Sequence, residues 1–373
     1  MTEAPEVDVA IAGSGPVGCA LALALAGSPV SVARIGGEGR AADRPIALSY
    51  GSRLILERLG VWQQIPSTPI ATIHVSQRQG FGRTVMRSAE HSLPALGYVT
   101  AYSELLAPLA AKTPAAAGTL TGWEPGDDSV SLRCAQAERR VRARLLVFAD
   151  GGANLGTERV RDYQQHAIVA EVLTQRAHSG VAWERFTDEG PLALLPFRDR
   201  YAMVWSVHPQ TAAILLQLSD SAFLVRLRQT FGDRLGSFTS VGPRAGFPLS
   251  LRFAAATVAP RMLAVGNAAQ MLHPVAGQGL NLGLRDAWEL AQMLLEVPAE
   301  EIGTKRFLAR YMRERRVDRC AGIGVTDFLV RAFSSSFPPM AVMRGAGLAA
   351  LDALPLARRF LARRMIFGAR ALP

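Results

Sequence analysis

The sequence predicts an α/β chain built on a parallel, nucleotide-binding sheet, and three glycine-rich elements carry that prediction. The first runs Val7-Asp8-Val9-Ala10-Ile11-Ala12, then Gly13-Ser14-Gly15-Pro16-Val17-Gly18, then an Ala/Leu run to Ala26. Strand, tight turn and helix in that order form a Rossmann opening. Gly13 permits the turn, Gly15 lets backbone approach a pyrophosphate, and Gly18 lets helix and strand pack closely. The helix N-terminus then attracts the anion.

The second element is the apolar strand Leu145-Leu146-Val147-Phe148-Ala149, which ends in Asp150-Gly151-Gly152. The third delivers Gly266-Asn267 from the strand Arg261 to Val265. A loop containing His273-Pro274-Val275-Ala276-Gly277-Gln278-Gly279-Leu280-Asn281 follows, and then a helix through Asp286, Trp288 and Leu290. A helix start of this kind offers N–H groups and a positive dipole end to an acceptor that gains negative charge. An acidic residue about 20 positions after the first turn usually binds the ribose. Here Val30-Ser31-Val32-Ala33 ends at Arg34. Two readings stand: Arg34 on an NADP-type 2′-phosphate, or an FAD ribose held by another group such as Glu38.

A chain of 373 residues, 49% hydrophobic and 19% charged, is long enough for two interwoven domains. Cys19, Cys134 and Cys320 show neither a disulfide framework nor zinc spacing, so a reducing cytoplasm and no metal site are expected. The uncharged run Val9 to Ala33 imitates a membrane span. It is preceded by Glu3, Glu6 and Asp8 without Lys or Arg and is broken by glycine and proline, so it reads as a nucleotide-binding element. Net charge is +10, and residues 301–373 hold 14 Lys and Arg against 5 Asp and Glu, which places most of the excess in the C-terminal fifth.

Together with Arg44-Pro45-Ile46-Ala47-Leu48-Ser49, Leu59-Gly60-Val61-Trp62, Ile73-His74-Val75-Ser76, Leu96-Gly97-Tyr98-Val99, Glu184-Arg185-Phe186-Thr187 and Gly190-Pro191-Leu192-Ala193, these elements carry a resemblance. Over nearly its whole length the chain resembles FAD-dependent aromatic-ring hydroxylases of the para-hydroxybenzoate hydroxylase type. The ubiquinone-biosynthesis hydroxylases, with 2-polyprenyl-6-methoxyphenol hydroxylase among them, are the nearest group.

The resemblance implies a Rossmann-type FAD-binding domain, an inserted mixed β-sheet substrate domain and a helical C-terminal region. Gly13, Gly15 and Gly18 would hold the FAD pyrophosphate, with Arg44 beside the cofactor. Asp150 and Gly151 match the motif tied to FAD and NAD(P)H handling. Gly266 and Asn267 would meet the ribityl chain, Pro274 would flank the isoalloxazine, and the backbone around Gly277, Gln278, Gly279, Leu280 and Asn281 would face its pyrimidine edge. Asn267, Arg34 and Asn154 depart from the wider pattern.

The FAD domain is expected at 1–70, 97–160 and 255–300, the substrate domain at 71–96 and 161–254, and a basic helical region at 301–373. Segments Gln165 to Thr174, Gly180 to Thr187, Leu192 to Phe197 and Tyr201 to Val207 read as strands walling a substrate pocket. The implied reaction takes hydride from NAD(P)H to FAD, adds O2 to give a C4a-hydroperoxide, and transfers oxygen to a polyprenylated phenol. The cofactor carries the difficult step, and no side chain is singled out to activate the phenol.

Three other assignments account for less of the sequence. A flavin halogenase needs a second tryptophan that Trp205-Ser206-Val207-His208-Pro209 lacks. A plain NADP dehydrogenase leaves Gly266 to Asn281 without a role, and a scaffold that has lost FAD accounts only for Arg34. The expected location is cytoplasmic, with peripheral contact to the inner membrane or to other ubiquinone-biosynthesis enzymes. In the C-terminal segment Leu354, Leu356, Phe360, Leu361, Met365, Ile366 and Phe367 alternate with Arg358, Arg359, Arg363 and Arg364 without forming one apolar face. Two readings stand there: a packed terminal helix with its arginines in water, or a surface for an anionic leaflet. No nucleic acid is expected as a partner.

Overall fold

The computed structural model describes residues 5–36, 43–78, 80–113, 118–135, 140–152, 155, 158–254, 257–271, 277–333 and 338–368, with the backbone alone at 321–323, 325–333 and 338–341. Pro274, Glu38, Asn154 and the segment His273 to Ala276 lie outside the described residues.

The first sheet is organised around the strand Val7–Ala12, whose small and β-branched residues alternate between two buried faces. It lies in parallel between Val32–Ile35 and Val141–Phe148, and Met262–Ala264 continues in parallel on the far side of Val141–Phe148. Val9, Ile11, Leu145, Val147 and Leu263 face one core, while Ala10, Ala12, Leu146 and Phe148 face another. A parallel sheet covered on both faces needs such apolar runs. The strand expected at Val30 to Ala33 runs instead from Val32 to Ile35, because pairing with Val9 to Ala12 continues past Arg34.

The helices in chain order are α1 (Pro16–Ala24), α2 (Tyr50–Arg58), α3 (Tyr102–Ala111), α4 (Pro209–Gln217), α5 (Asp220–Phe231), α6 (Gln278–Leu295), α7 (Lys305–Phe333), α8 (Pro338–Ala353) and α9 (Pro355–Phe367). On the first face of the parallel sheet, α1 and α6 pack so closely that a Cβ on Gly283 would lie 2.8 Å from Cγ2 of Val17. Phe307, Leu308 and Tyr311 of α7 complete this core, so packing continues across residue 300. Each fully buried side chain of that size contributes about 1.5–3 kcal/mol.

The second sheet is mixed. Its strand order is Gln270–Met271, Ala245–Ala254, Glu158–Thr174, Arg200–Val207, Pro191–Phe197, Val181–Phe186, Thr72–Gln77 and Arg83–Arg87. The four strands expected from their β-branched and aromatic content are all present, and Val181–Phe186 pairs in parallel with Thr72–Gln77. Ile168, Leu192, Leu194, Met203 and Trp205 pack on α4 and α5. A small third sheet joins Pro45–Ser49, Gly97–Ala101 and Thr68–Ile70.

The C-terminal helices fold back onto this frame. α8 lies along the edge strand Arg83–Arg87. In α9, Ala362 and Ile366 are buried with Met86 and Leu96, while Leu356, Phe360, Arg359, Arg363 and Arg364 stay exposed. No helix of the described residues is long and apolar enough to cross a membrane.

Candidate active site

One cavity of about 1830 Å³ extends from the first glycine turn to the C-terminal helices. Ligand pockets usually measure roughly 300–1,000 Å³, so this one has room for a dinucleotide and a second molecule together. At one end it is lined by Ser14, Gly15 and Pro16, by Asp43 and Arg44, by Ala149, Asp150 and Gly151, and by Asn267, Gly277, Gly279 and Leu280. The sequence-predicted elements thus converge from three distant segments.

The glycines of the first turn divide their work. Gly13 has φ +141°, and a Cβ there would stand 2.5 Å from the backbone carbon of Ala149. A Cβ on Gly18 would collide with the carbonyl of Gly13. These two close the turn onto the sheet. Gly15 is different: a Cβ would meet only the Tyr102 hydroxyl, at 3.5 Å, so this position opens on the cavity. Gly15 also caps α1 without a side-chain hydrogen bond, and Pro16 follows it, which leaves the N-terminal N–H groups of α1 for an anion.

At the third element Gly277, with φ +60°, caps α6. Gly279 faces open cavity, with Oδ1 of Asn267 as its nearest neighbour at 3.9 Å. The Gly266 N–H donates to Oδ2 of Asp286 at 3.1 Å, and Oδ1 of Asp286 receives Nε of Arg315 at 2.9 Å. Arg315 also reaches Asp318 at 2.7 Å and Glu289 at 2.8 Å, a buried cluster that ties α7 to the loop beneath the cavity. Asn281 is buried, and its amide is engaged with Ala47, Ser49, Ser52 and Gly277. Its side chain therefore fixes the helix start.

Arg44 lies at the cavity wall with its guanidinium 5.9 Å from the Tyr102 ring centroid. Gly151 closes the second turn beside Asn267, and Gln278 begins α6. Arg34 is not brought to the cavity. It is buried, and its Nη1 donates to Sγ of Cys19 on α1 at 3.0 Å.

The rest of the cavity is walled by the second sheet. One row of side chains crosses it by register, Thr84, Val75, Glu184, Ala193, Val204, Val169 and Ala245, and every member lines the cavity. Its far end is mostly apolar, with Met343, Gly347, Leu348 and Leu351 of α8 and Leu361 and Met365 of α9, and it also carries Arg344 of α8. Glu184 did not stand out as a site residue in the sequence. The signal was its place between Ala182 and Phe186 on the inward face of an alternating strand, where an ionisable residue is out of pattern. Tyr102, opposite Gly15, carried no sequence signal.

These features fit FAD: an open pyrophosphate turn, an uncapped helix start, a second helix start beyond it, and a separate chamber for the molecule to be oxidised. A dinucleotide turn joined to a sheet-walled chamber suits a flavin-dependent oxidoreductase. The chain belongs to the FAD binding domain family, which it matches over residues 6–319. It is 36% identical to the ubiquinone hydroxylase UbiL of Rhodospirillum rubrum, over 96% of this chain and 89% of that protein. It is 30% identical to the 3-demethoxyubiquinol 3-hydroxylase of Escherichia coli, over 96% and 98%. In fold it is similar to the p-nitrophenol 4-monooxygenase PnpA of Pseudomonas putida DLL-E4, with a TM-score of 0.75 at 18% identity over 99% of this chain and 100% of that one. The protein is an FAD-binding aromatic-ring monooxygenase.

Proposed function

We propose that the protein hydroxylates the aromatic ring of a polyprenylated phenol in ubiquinone biosynthesis, using NAD(P)H as reductant and O2 as oxygen source. The observation that carries this reading is the continuity of the cavity from Gly15 and Gly279 to the apolar wall of α8 and α9. A small phenol would fill only the chamber under the sheet, whereas an isoprenoid tail would cover Leu348, Leu351, Leu361 and Met365. When bound, FAD takes the hydride and activates oxygen. The protein's share is to hold the pyrophosphate at Gly15, steady the ring system with the start of α6, orient the phenol, and keep water out.

The same end of the molecule favours contact with a membrane surface. Val342, Met343, Leu354, Leu356 and Phe360 are exposed beside Arg359, Arg363 and Arg364, so the tail could pass from a bilayer into the cavity. Because Ala362 and Ile366 are packed, point changes are the suitable probe: Leu356→Ser with Phe360→Ser should weaken sedimentation with anionic vesicles and leave flavin content unchanged. The catalytic reading is tested with purified holoenzyme. A farnesylated methoxyphenol should yield hydroxylated product coupled to NAD(P)H oxidation, and the tail-free phenol should mostly yield H2O2. Equal coupling for both would assign the enzyme to small phenols.

A further inference from the structure

Within the apolar chamber stands one carboxyl that the cofactor turns do not use. Glu184 lies on Val181–Phe186 with Val75 beside it on one neighbouring strand and Ala193 on the other. Among the described residues no hydrogen bond or ion pair engages its side chain, and its partial exposure is to the cavity that it lines. An ionisable group left without a partner in a chamber of this kind costs stability, and a ligand with its own polar atoms removes that cost.

We propose that Glu184 is the acid–base residue of the ring hydroxylation, accepting the proton of the substrate's phenolic hydroxyl and returning it after oxygen transfer. The inference rests on the monooxygenase reading of the cavity. As the phenol O–H bond breaks, the proton passes to a carboxylate oxygen of Glu184 and the electron pair stays on the phenolic oxygen. That pair raises electron density at the ring carbons ortho and para to it. One of them forms a C–O bond to the oxygen atom that O2 supplies at the reduced flavin; its C–H proton is taken up by the second O2 oxygen, which leaves as water, and Glu184 gives its proton back as aromaticity returns. Before oxygen transfer one negative charge is shared between acid and phenol, so the two are never charged together.

The electrostatics suit the role. Burial alone pushes the Glu184 carboxyl up to about 7. The other charged groups around the cavity are Asp43, Arg44, Asp150, Glu171, Arg200 and Arg344. Glu171 and Arg200 pair with each other at 3.5 Å, and no charged neighbour contributes to the Glu184 shift. His74 and Arg185 flank it in the chain register but belong to the opposite face of the sheet. A carboxyl poised near neutral pH is closer to the acidity of a phenol, of ordinary value about 10, than an exposed glutamate is.

The test compares FAD-loaded wild type with Glu184→Gln and Glu184→Asp. Wild-type kcat/KM for ring hydroxylation should rise with pH through about 7, because the carboxyl must be ionised to accept a proton. Glu184→Gln should keep its flavin and lose that rise, with kcat down by about 100-fold or more and NAD(P)H electrons diverted to H2O2. The deficit should shrink for fluorinated, more acidic phenols, and Glu184→Asp should recover part of the pH dependence. A binding arm needs no turnover: above about pH 7 wild type should take up about one proton when it binds the 4-nitrophenolate anion, because carboxylate and phenolate share one negative charge, and Glu184→Gln should take up none. Wild type that takes up no proton, or a Gln variant that hydroxylates at the wild-type rate with the same pH profile, overturns the assignment. Wild type that takes up the proton yet forms no ring product from any phenol overturns the monooxygenase reading while leaving the proton acceptor in place.

Discussion

The Ser52 hydroxyl donates to Oδ1 of Asn281 at 2.7 Å, although 229 positions separate the two residues in sequence. The same oxygen receives the Ser49 N–H at 2.7 Å, and Nδ2 of Asn281 donates to the carbonyls of Ala47 at 3.1 Å and Gly277 at 2.7 Å. One buried amide thereby fastens the start of α6 to the strand Pro45–Ser49 and the start of α2.

Asn281→Ala should therefore lower the unfolding free energy by about 3 kcal/mol, since several buried groups lose their partner at once. Asn281→Asp should be similarly damaging because a carboxylate cannot donate to two carbonyls. Thermal melts together with the flavin-to-protein ratio check both. An unchanged melting temperature would contradict the role assigned to the amide.

Removing Arg315 tests the buried charge cluster. Arg315→Met removes the guanidinium that is hydrogen-bonded to both Asp286 and Asp318, at a cost of about 3–5 kcal/mol. Because Asp286 also holds the Gly266 N–H, FAD dissociation should accelerate along with unfolding. Measured flavin release that matches wild type in a variant melting well below it would separate the cluster from the site.

The glycine turns should respond unequally. Gly15→Val and Gly279→Val place side chains in open cavity, so the apoproteins should melt near wild type while failing to retain FAD. Gly13→Val meets the backbone of Ala149 and a positive φ, and it should not fold. Normal flavin content in both of the first two variants would remove those glycines from the site.

Glu184 also makes a stability prediction that is independent of activity. Its carboxyl is raised by burial from an ordinary value of 4.5 to about 7, so the folded state holds the proton more tightly than the unfolded chain. The wild-type apoprotein should lose stability relative to Glu184→Gln as pH rises from about 5 to 8, by up to about 3 kcal/mol. Urea melts at three pH values would read this, and a pH-independent difference would place the carboxyl in water.

Much of this architecture was legible in the sequence because glycine and strand periodicity are local signals. The turn Gly13 to Gly18, the strands of the second sheet and the helix after Gly277 each announce themselves within a dozen residues. Partnerships across the fold do not. Arg34 sits where a ribose ligand usually stands, but its place against Cys19 depends on how α1 packs over the sheet. Asn281 reads as one more residue of a cofactor loop until the strand at Ala47 is beside it. Glu184 differs from its neighbours only by being charged on an apolar face, and its meaning comes from Val75, Ala193 and the chamber they enclose.

The walls of that chamber come from nearly the whole length of the chain, from Ser14 to Met365. A ribosome delivers the pyrophosphate turn almost at once, yet the cation that secures the Gly266 loop arrives only at Arg315, and the last side chains of the apolar end only with α9. The Gly266 loop is therefore expected to hold flavin firmly only once α7 has been made and has packed beneath it.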